Sequence, residues 1–457
     1  MQGRGPGLRS AAVGLALLAV GCGPRVTIPS ADPTVGGRPA PLPHPTVPAG
    51  PANPASDVGV TPTEVRVGLI VSQTSPLGPE AFSAPMFGAT AFIDRLNSQG
   101  GVHGRTVRVI VCDDGATGTG NRACARKLIE GDKVFAFVGN SIFVYSGAPY
   151  VSGKGVPDIG GNAIGNEYDQ YPHLYSIHGS GYPRDGKSIG ENGKLFGGTE
   201  VYHYFRTTLG SEVAGIVSYN QSDSARYADL TAAGLQLEGY RVVREQVDFA
   251  VPNFDAAVVD MKAHGVDTVF DALDTTGNVA LCKAMDAAHL TVRAKVMTVQ
   301  SWSDVVRHDF ASTPVCRNSL YATAQDRNYM DTQFPAVAQF RADIRTAYPE
   351  REDRLSQWEM DGWASAQWLT DAMTACGAQL TRACVEEFLN RPTEYTAHGL
   401  MTPADFIVGK NTTAPTPHCL NVAQWQDTAD GGRGGWVTRT PNGDFACYDV
   451  PSVIYSP

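Results

Sequence analysis

The chain has 457 residues, of which 18% are charged and 42% are hydrophobic, and its formal net charge is −10. This length exceeds what a single hydrophobic core ordinarily serves, so the sequence indicates two or more domains. The acidic balance, without a basic stripe, argues against nucleic-acid binding. Beyond residue 22, no segment approaches the ~18–20 consecutive apolar residues that a membrane-spanning helix needs.

Residues 1–22 have the pattern of an export signal. Arg4 and Arg9 supply positive charge, an apolar core follows, and small residues precede Cys22. The LAVGC segment that ends at Cys22 is similar to a bacterial lipobox, in which the cysteine is diacylated after cleavage before it. The alternative is an ordinary secretory signal with an incidental cysteine. We interpret Cys22 as a lipidation site, which predicts an exported protein anchored to the outer face of the cytoplasmic membrane. Loss of the two arginines brings the net charge to about −12.

Residues 23–61 contain ten prolines and almost no large apolar side chains. Such a segment cannot bury a core, and its proline content favours extended polyproline conformations. We interpret it as a flexible tether between a membrane anchor and a folded head. A disordered leader without a defined role is the alternative.

The head is predicted to begin with a strand–helix–strand unit. Residues 65–71 form an apolar run rich in β-branched side chains, which is typical of a strand. Residues 86–96 carry apolar side chains at helical spacing, and Gly100 and Gly101 end that helix. Residues 107–111 predict the second strand. A right-handed crossover of this kind belongs to an open α/β sheet, whose ligands bind beyond the carboxyl ends of the strands.

Two segments fall at those carboxyl ends. They are the loop 72–79, which includes Ser75, and the pair Asp113 and Asp114. Adjacent residues of a strand point to opposite faces, so the two carboxylates are not expected to share a metal or an acid–base role. We predict that they cap the following loop.

The segment LNSQGGVHGRTVRVIVCDD, residues 96–114, resembles the first unit of the type I periplasmic binding proteins. It is most similar to the branched-chain amino acid and amide branch, the solute receptors of ABC importers. The resemblance extends from about residue 63 to the C-terminus and includes FDAAVVDMKAHGVDTVFDAL, residues 254–273. It implies an α/β fold with two doubly wound, Rossmann-like lobes joined by several crossings, which together form a hinged clamshell around a ligand cleft.

The resemblance also implies a division of the chain. We expect lobe 1 at residues 62–178, lobe 2 at 179–324, a helical return to lobe 1 at 325–397, and a C-terminal β-ribbon, mostly of lobe 2 and the hinge, at 398–457. Further apolar segments predict the remaining strands at residues 134–138, 155–159, 173–177, 214–219, 240–247, 268–273, 295–299 and 320–324. Asn253 is predicted to cap a helix.

Apart from Cys22, eight cysteines remain, and an even number in an exported chain indicates disulfides. They fall into sequential pairs within single structural units. We therefore predict the pairs Cys112–Cys124, Cys282–Cys316, Cys376–Cys384 and Cys419–Cys447. No Cys-x-x-Cys motif is present and no histidine is spaced to complete a tetrahedral set, so no metal site and no cofactor are predicted.

The ligand site is implied by the resemblance. In the family a ligand carboxylate is held in lobe 1 by hydroxyls and backbone N–H groups, and helix N-termini suit such an anion. The matching lobe 1 residues are Asn140, Ser141, Gly161 and Asn162, with Ser141 as the first choice for the hydroxyl and Tyr145 or Ser146 as alternatives. The matching lobe 2 residues are Ser224 or Tyr227, Asp274, Thr275, Gln300 and Trp302.

One departure from the family bears on the ligand. Amino-acid receptors of this group pair the ligand ammonium with an acid near the loop that here contains Gln300 and Ser301, both neutral. A buried ammonium without an anionic partner is costly. Either Asp274 supplies the charge or the ligand is not an α-amino acid. Trp302 and Tyr145 could then stack on a larger apolar or planar ligand, and core packing is the alternative role for both.

Residues 181–188, GYPRDGKS, match the Walker A pattern letter for letter. A phosphate cradle needs a helix that starts at the lysine, and none is predicted there. The segment also lies at the expected crossing between lobes, so we do not assign nucleotide binding to it. The histidines at 103, 173, 178, 264 and 289 stand alone and are interpreted as surface or packed residues.

The leading hypothesis is therefore a monomeric, lipid-anchored solute-binding protein of an ABC importer, which performs no catalysis. It would capture a small polar ligand, such as an amino acid, an amide or a related carboxylate, and deliver it to a membrane permease. Closure would follow from the higher affinity of the ligand for the closed form. A ligand-sensing receptor module with the same fold and an exported hydrolase are the alternatives.

Overall fold

A computed structural model describes residues 53–75, 80–163 and 165–456. The predicted export signal, Cys22 and most of the predicted tether lie outside these residues. Within the described ranges, no helix combines the length and the apolar character that crossing a membrane requires.

Lobe 1 is built on a parallel sheet from the first part of the chain. Its strands are β1 Glu64–Val71, β2 Thr106–Asp113, β3 Ala136–Val138, β4 Ser141–Ile142, β5 Asp158–Ala163 and β6 Leu174–Ser176. The strands β2, β1, β3 and β5 are successive neighbours, β6 pairs with β5, and β4 pairs with both β1 and β5. The last five residues of β1 are all buried, as expected for a parallel strand covered on both faces.

Lobe 2 is built on a second sheet. The strands of the second half are β7 Leu195–Gly198, β8 Val213–Tyr219, β9 Arg241–Val247, β10 Thr268–Ala272, β11 Ala294–Met297, β12 Leu320–Ala324, β13 Thr416–Gln426, β14 Gly435–Thr438, β15 Ala446–Val450 and β16 Ser452–Tyr455. Strands β9, β8, β10, β11 and β12 run parallel in that order, and β13 continues the sheet antiparallel to β12. Strands β14 and β15 pair with β13, whereas β7 and β16 form a separate ribbon. Strands β8 to β12 agree with the sequence prediction to within two residues.

The helices cover the sheets and complete lobe 1. They are α1 Glu80–Ser98, α2 Gly118–Arg126, α3 Ala148–Gly153, α4 Glu200–Leu209, α5 Ser222–Leu237, α6 Phe254–Ala263, α7 Thr275–Ala287, α8 Val306–Asp309, α9 Pro314–Arg317, α10 Pro335–Ala347, α11 Gln357–Cys376 and α12 Arg382–Leu389. Asn253 caps α6, as predicted, since its side chain accepts from the N–H of Ala256. Helices α10 and α11 pack on α1 and α12 packs on α11, so the chain returns to lobe 1 after β12.

The chain passes between the two sheets three times. The first crossing lies between β6 and β8, the second follows β12, and the third links α12 to β13. Backbone contacts tie the crossings together, because the N–H of Ser180 donates to Asp405 and the N–H of Thr402 donates to Gln325. The two lobes are therefore joined by a multi-stranded hinge.

Helices α1 and α11 cross at two glycines. An added Cβ at Gly88 would lie 1.7 Å from the carbonyl oxygen of Glu359, and one at Gly362 would lie 2.0 Å from the carbonyl oxygen of Pro85. Both obstacles are backbone atoms, which cannot rotate away as a side chain can. The close approach of these helices therefore requires glycine at both positions.

Replacement of Gly362 by alanine should push α1 and α11 apart and destabilise the protein by about 1–3 kcal/mol, the usual cost of overpacking. Denaturant-induced unfolding measures this change. The matched control is Gly153→Ala in α3, where a Cβ meets open space. That variant should be neutral or slightly more stable, since alanine restricts the unfolded chain. Equal destabilisation by both substitutions would contradict the steric explanation.

The structure contains the four disulfides predicted from the sequence. They join β2 to α2, α7 to α9, the end of α11 to α12, and β13 to β15. Each bond therefore stabilises contacts within one lobe, and the bonds leave the movement between lobes free.

The predicted end of the tether at residue 61 is too late. Residues 53–61 already pack on lobe 1, where Val60 is buried and the side chain of Asp57 accepts from the N–H of Arg382. The guanidinium of the fully buried Arg105 donates to the carbonyls of Pro54 and Thr61. Composition did not indicate this contact, because backbone carbonyls, the side chain of Asp57 and one valine make it rather than a run of large apolar side chains.

The prediction that β5 ends at residue 159 was also wrong, since the strand continues through Gly160 and Gly161. A Cβ at Gly160 would lie 2.1 Å from the hydroxyl oxygen of Ser365, and one at Gly161 would lie 1.6 Å from that of Tyr168. The glycines serve close packing of β5 against α11 and Tyr168, whereas the sequence suggested a loop.

Candidate functional site

A cavity of about 360 Å³ lies between the lobes, at the carboxyl ends of β8, β10 and β11. Lobe 1 contributes Phe143, which follows β4, and Trp358, which lies in the first turn of α11. Six aromatic side chains line the cavity: Phe143, Tyr219, Tyr227, Phe249, Trp358 and Tyr455. A largely apolar wall with a few polar groups is the usual character of a small-molecule site.

The lobe 1 wall rests on an aromatic cluster. The ring of Phe82 lies 5.6 Å from that of Phe143 and 5.7 Å from that of Trp358, measured between centroids. Phe82 is fully buried and Trp358 is 7% exposed. Tilted aromatic packing of this kind holds the two cavity-facing rings in fixed positions.

The lobe 2 wall is fixed by hydrogen bonds between strand ends. The hydroxyl of Ser224 donates to the carbonyl of Ala272 at 2.7 Å and accepts from the N–H of Tyr219 at 2.8 Å. Asp274 caps α7 by accepting from the N–H of Gly277, and it also accepts from the hydroxyl of Tyr219 at 2.6 Å. The polar side chains at these strand ends are thus engaged by the protein itself.

Arg226 spans the two lobes. It lies on α5 of lobe 2, and its Nη1 donates to Oδ1 of Asn166 in lobe 1 at 2.8 Å. Its Nη2 lies 3.3 Å from Oδ1 of Asp223 on the same helix. Burial raises the pKa of the neighbouring Glu167 carboxyl, and the charge of Arg226 opposes that rise. Arg226 is therefore a cationic contact between lobes at the edge of the cavity.

Four of the residues predicted to bind ligand line this cavity: Ser224, Tyr227, Asp274 and Gln300. Tyr227 is 47% exposed, so its ring is accessible from the cleft. Thr275, although adjacent to Asp274, turns towards Ser301, and the two hydroxyl oxygens lie 3.3 Å apart. Strand β11 ends at Met297, and a short 3-10 turn, Val299–Ser301, presents Gln300 to the cavity.

The structure places Tyr145 and Trp302 in cores rather than in the cleft. Tyr145 is 2% exposed and donates to Asp158. Trp302 is fully buried against Trp436, with 6.0 Å between ring centroids. The core-packing alternative considered for both residues therefore describes them, and neither is placed to stack on a ligand.

The other predicted lobe 1 residues lie outside the cavity wall. The side chain of Asn140 accepts from the N–H of Ile70 and donates to Asp158, so it is a structural bridge. Ser141 is fully buried, and its hydroxyl has no hydrogen-bond partner among the described residues. Gly161 lies within β5, and the side chain of Asn162 is beyond what the structure describes. Ser75 does not line the cavity, and residues 76–79 lie outside the described residues.

Asp113 and Asp114 have the capping roles predicted from the sequence. Asp113 accepts from the N–H groups of Gln73, Thr74 and Gly115. Asp114 accepts from the hydroxyl of Ser72, the N–H of Ala116 and the side chain of Asn121. Both carboxylates therefore hold the loops that follow β1 and β2, each through its own set of donors.

The segment that matches the Walker A pattern lies in the first crossing. Helix α4 begins only at Glu200, well after Lys187, so no helix starts at the lysine. Lys187 is exposed and pairs with Asp185. Arg184 is buried instead, with its guanidinium 4.8 Å from the ring of Tyr175 and 4.6 Å from that of Phe406. The segment is a structural part of the hinge.

The sequence analysis missed several cavity residues. Arg226 is adjacent to the predicted Tyr227, Phe143 is two residues after the predicted Ser141, and Phe249 follows the carboxyl end of β9. The rule of strand ends could therefore have found them. Trp358 had no such signal. It belongs to a helix far along the chain, and only the packing of α11 against α1 brings it to the cleft.

A buried polar cluster of lobe 1 surrounds a carboxyl group with a raised pKa. The hydroxyls of Tyr145 and Tyr168 and the amide of Asn140 all donate to Oδ2 of the fully buried Asp158, at 2.5, 2.8 and 2.9 Å. Burial raises the pKa of Asp158 to about 6, although these three donors oppose the rise. The native state therefore holds this proton more tightly than the unfolded chain does.

The stability contributed by protonated Asp158 should be fully present below about pH 4 and lost as the pH rises through about 6. Asp158→Asn cannot titrate and serves as the reference. Between pH 4 and pH 7 the wild type should lose roughly 2–3 kcal/mol of unfolding free energy relative to this variant. Denaturant unfolding of both proteins at the two pH values measures the change. A constant difference across this range would contradict the assignment.

Comparison with known proteins identifies the class of protein that this fold and cleft define. Residues 64–432 match the family model described as periplasmic binding protein. The match covers well over half of the chain, and the chain belongs to the periplasmic binding protein family. This family binds small-molecule ligands and works with ABC permeases, and membership implies export. A comparison with curated protein sequences gives no match.

Solved structures share the type I fold of two lobes with parallel sheet cores. The substrate-binding protein of a branched-chain amino acid transporter from Streptococcus pneumoniae, in complex with isoleucine, is 15% identical, covers 82% of this chain and 100% of its own, and has a TM-score of 0.62. A solute-binding protein from Rhodopseudomonas palustris, in complex with 3,4-dihydroxybenzoic acid, is 13% identical, with coverages of 86% and 99% and a TM-score of 0.61. A fatty acid transporter substrate-binding protein from Thermomonospora curvata is 15% identical, with coverages of 87% and 97% and a TM-score of 0.63.

Proposed function

We propose that this protein is the solute-binding component of an ABC importer and that its ligand has an apolar or planar body with one acceptor group, such as a carboxylate. The single observation that carries this proposal is the aromatic lining of the inter-lobe cavity, with a cationic side chain at its edge. The ligand would be captured by closure of the lobes and passed to a permease. No catalytic step is part of this function.

The aromatic wall favours an apolar or planar ligand body. The rings of Phe143 and Trp358 approach from lobe 1, and those of Tyr219 and Phe249 approach from lobe 2. The rings of Tyr219 and Phe249 pack edge to face with 5.1 Å between centroids. Burial of a flat body between such walls gains both hydrophobic and ring–ring energy.

The charges favour an acceptor group over an ammonium group. Asp274 already receives two hydrogen bonds, and Asp223 lies against Arg226. A ligand ammonium would have to share a carboxylate with these donors, and a poorly paired buried cation is costly. A carboxylate can instead bind the guanidinium of Arg226, whose geometry suits such groups.

Two structural relatives are described with ligands that have an apolar body and one acid group. Isoleucine, 3,4-dihydroxybenzoic acid and fatty acids appear in the descriptions of three proteins with this fold. An aromatic carboxylate and a fatty acid each combine an apolar body with one acid and lack an ammonium. A volume of about 360 Å³ is at the lower end for ligand pockets, which supports a small member of this group.

Capture would depend on the contact of Arg226 with both lobes. The bond from Arg226 to Asn166 joins the two lobes, so separation of the lobes at this point would break it. A ligand that binds both walls adds affinity for the closed form and shifts the population towards it. We further propose that the protein is a monomer tethered through a lipid on Cys22, which suits delivery to a nearby permease.

A direct test exposes the purified protein separately to 3,4-dihydroxybenzoate, octanoate and isoleucine and follows thermal unfolding. One of the two carboxylates without an ammonium should raise the melting temperature more than isoleucine does. A ligand at 100 times its Kd stabilises the native state by about 2.7 kcal/mol. A larger shift with isoleucine would contradict the proposed ligand class, and turnover of any bound compound would contradict a binding function.

The proposed cavity predicts a specific effect of Phe249→Ala. Phe249 is 39% exposed at the cavity, so its removal should leave the fold intact and weaken binding of the stabilising carboxylate about tenfold. Isothermal titration calorimetry measures the affinity. Phe388→Ala on α12 is the matched control, since this ring packs on lobe 1 away from the cleft. An equal loss of affinity in both variants would argue against the cavity as the ligand site.

A further inference from the structure

The hinge contains a cluster of metal-ligating side chains that the ligand cleft does not use. His178 lies in the first crossing, Asp326 begins the second crossing, and Asp361 lies on α11. One donor atom from each of the three residues lies within 4.8 Å of the others. The backbone of Asp326 also forms a bridge with Met401 in the third crossing. The cluster therefore lies where all three crossings meet lobe 1.

The carboxylate of Asp326 is the unusual member of this cluster. Asp326 is 1% exposed, neither of its oxygens accepts from a nitrogen or hydroxyl donor within the described part of the chain, and its carboxyl faces that of Asp361. The basic group that faces it is the imidazole of His178, whose Nε2 lies 3.9 Å from Oδ2. Buried carboxylates in proteins are paired or coordinate metals, because an isolated buried charge is costly. The Nδ1 of His178 is also buried, and no residue that the structure describes forms a hydrogen bond with it.

We propose that His178, Asp326 and Asp361 bind a divalent first-row transition-metal cation, of the Zn²⁺ class, at the hinge. This site is separate from the cavity and independent of the ligand proposed for it.

The donor set favours this class of cation. One imidazole nitrogen with two carboxylates suits Zn²⁺ and its first-row neighbours, whereas Ca²⁺ and Mg²⁺ prefer sites made of oxygen alone. Bonds of about 2.0–2.2 Å place neighbouring ligands about 3–4 Å apart, so small side-chain rotations would complete the coordination. The side chain of His178 is 33% exposed, which gives an ion access from solvent and leaves room for water as a further ligand.

Such an ion would fix the geometry of the hinge. Its ligands come from two crossings and from the helix that carries Trp358 into the cavity. Binding to the folded form alone also stabilises that form by mass action. The expected consequence is a protein whose melting temperature depends on the metal ion concentration.

The test uses the purified mature chain, treated with a chelator and dialysed. Zn²⁺, Co²⁺ and Ca²⁺ are then titrated separately, with calorimetry for affinity and visible absorption for Co²⁺ coordination. We expect one Zn²⁺ per chain, much weaker binding of Ca²⁺, and a rise in melting temperature with Zn²⁺. His178→Gln and Asp326→Asn should each weaken Zn²⁺ binding by more than about tenfold.

The matched control is His203→Gln. His203 is 31% exposed, lies on α4 of lobe 2, and binds Glu238 through Nδ1, so its loss should leave Zn²⁺ affinity unchanged. His178 is partly exposed, so His178→Gln should fold even where Asp326→Asn does not. The test then uses His178→Gln alone. Absence of Zn²⁺ binding by the wild type would overturn the proposal. Equal Zn²⁺ affinity of wild type and His178→Gln would overturn it as well.

Discussion

The contact between α1 and α11 is the constraint on which both functional regions depend. Gly88 and Gly362 let the two helix backbones touch, and this contact fixes α11 against the first sheet. Trp358 and Asp361 lie in the first turns of α11, so Trp358 lines the cleft and Asp361 lies at the hinge. One turn further, the hydroxyl of Ser365 donates to the carbonyl of Gly160 in β5. A small displacement of α11 would therefore change the cavity wall, the hinge cluster and the edge of the sheet together.

Each lobe also carries a buried polar cluster close to its side of the cleft. In lobe 1, Asp158 collects three donors beneath the wall that contains Phe143. In lobe 2, the fully buried Lys295 donates to Asp271 and Asn278. Burial lowers the pKa of Lys295, and the charge of Asp271 opposes that shift. Hydrogen-bond networks of this kind join neighbouring elements within each lobe and favour one arrangement of their side chains.

The sequence predicted the parts of this molecule that depend on local pattern. Apolar periodicity located β8 to β12, and the order of the cysteines predicted all four disulfides. Strand ends also pointed to Ser224, Asp274 and Gln300. Sequence patterns do not determine the direction in which a single side chain points. Tyr145 and Trp302 were therefore predicted to line the cleft, whereas Phe143 and Trp358 line it in the structure. His178 and Asp326 are far apart in sequence, and only the meeting of the crossings brings them together.

The hinge and the cavity have different roles in a binding protein. At the hinge, backbone hydrogen bonds join the three crossings, an arrangement that permits two lobes to rotate about one region. At the cavity, the partners of Arg226 come from both lobes, Asn166 from lobe 1 and Asp223 from lobe 2. An acceptor on the ligand would bind this same group and would compete with or add to those contacts. In the proposed function, affinity and closure are therefore properties of one interaction, and a change at Arg226 would alter both at once.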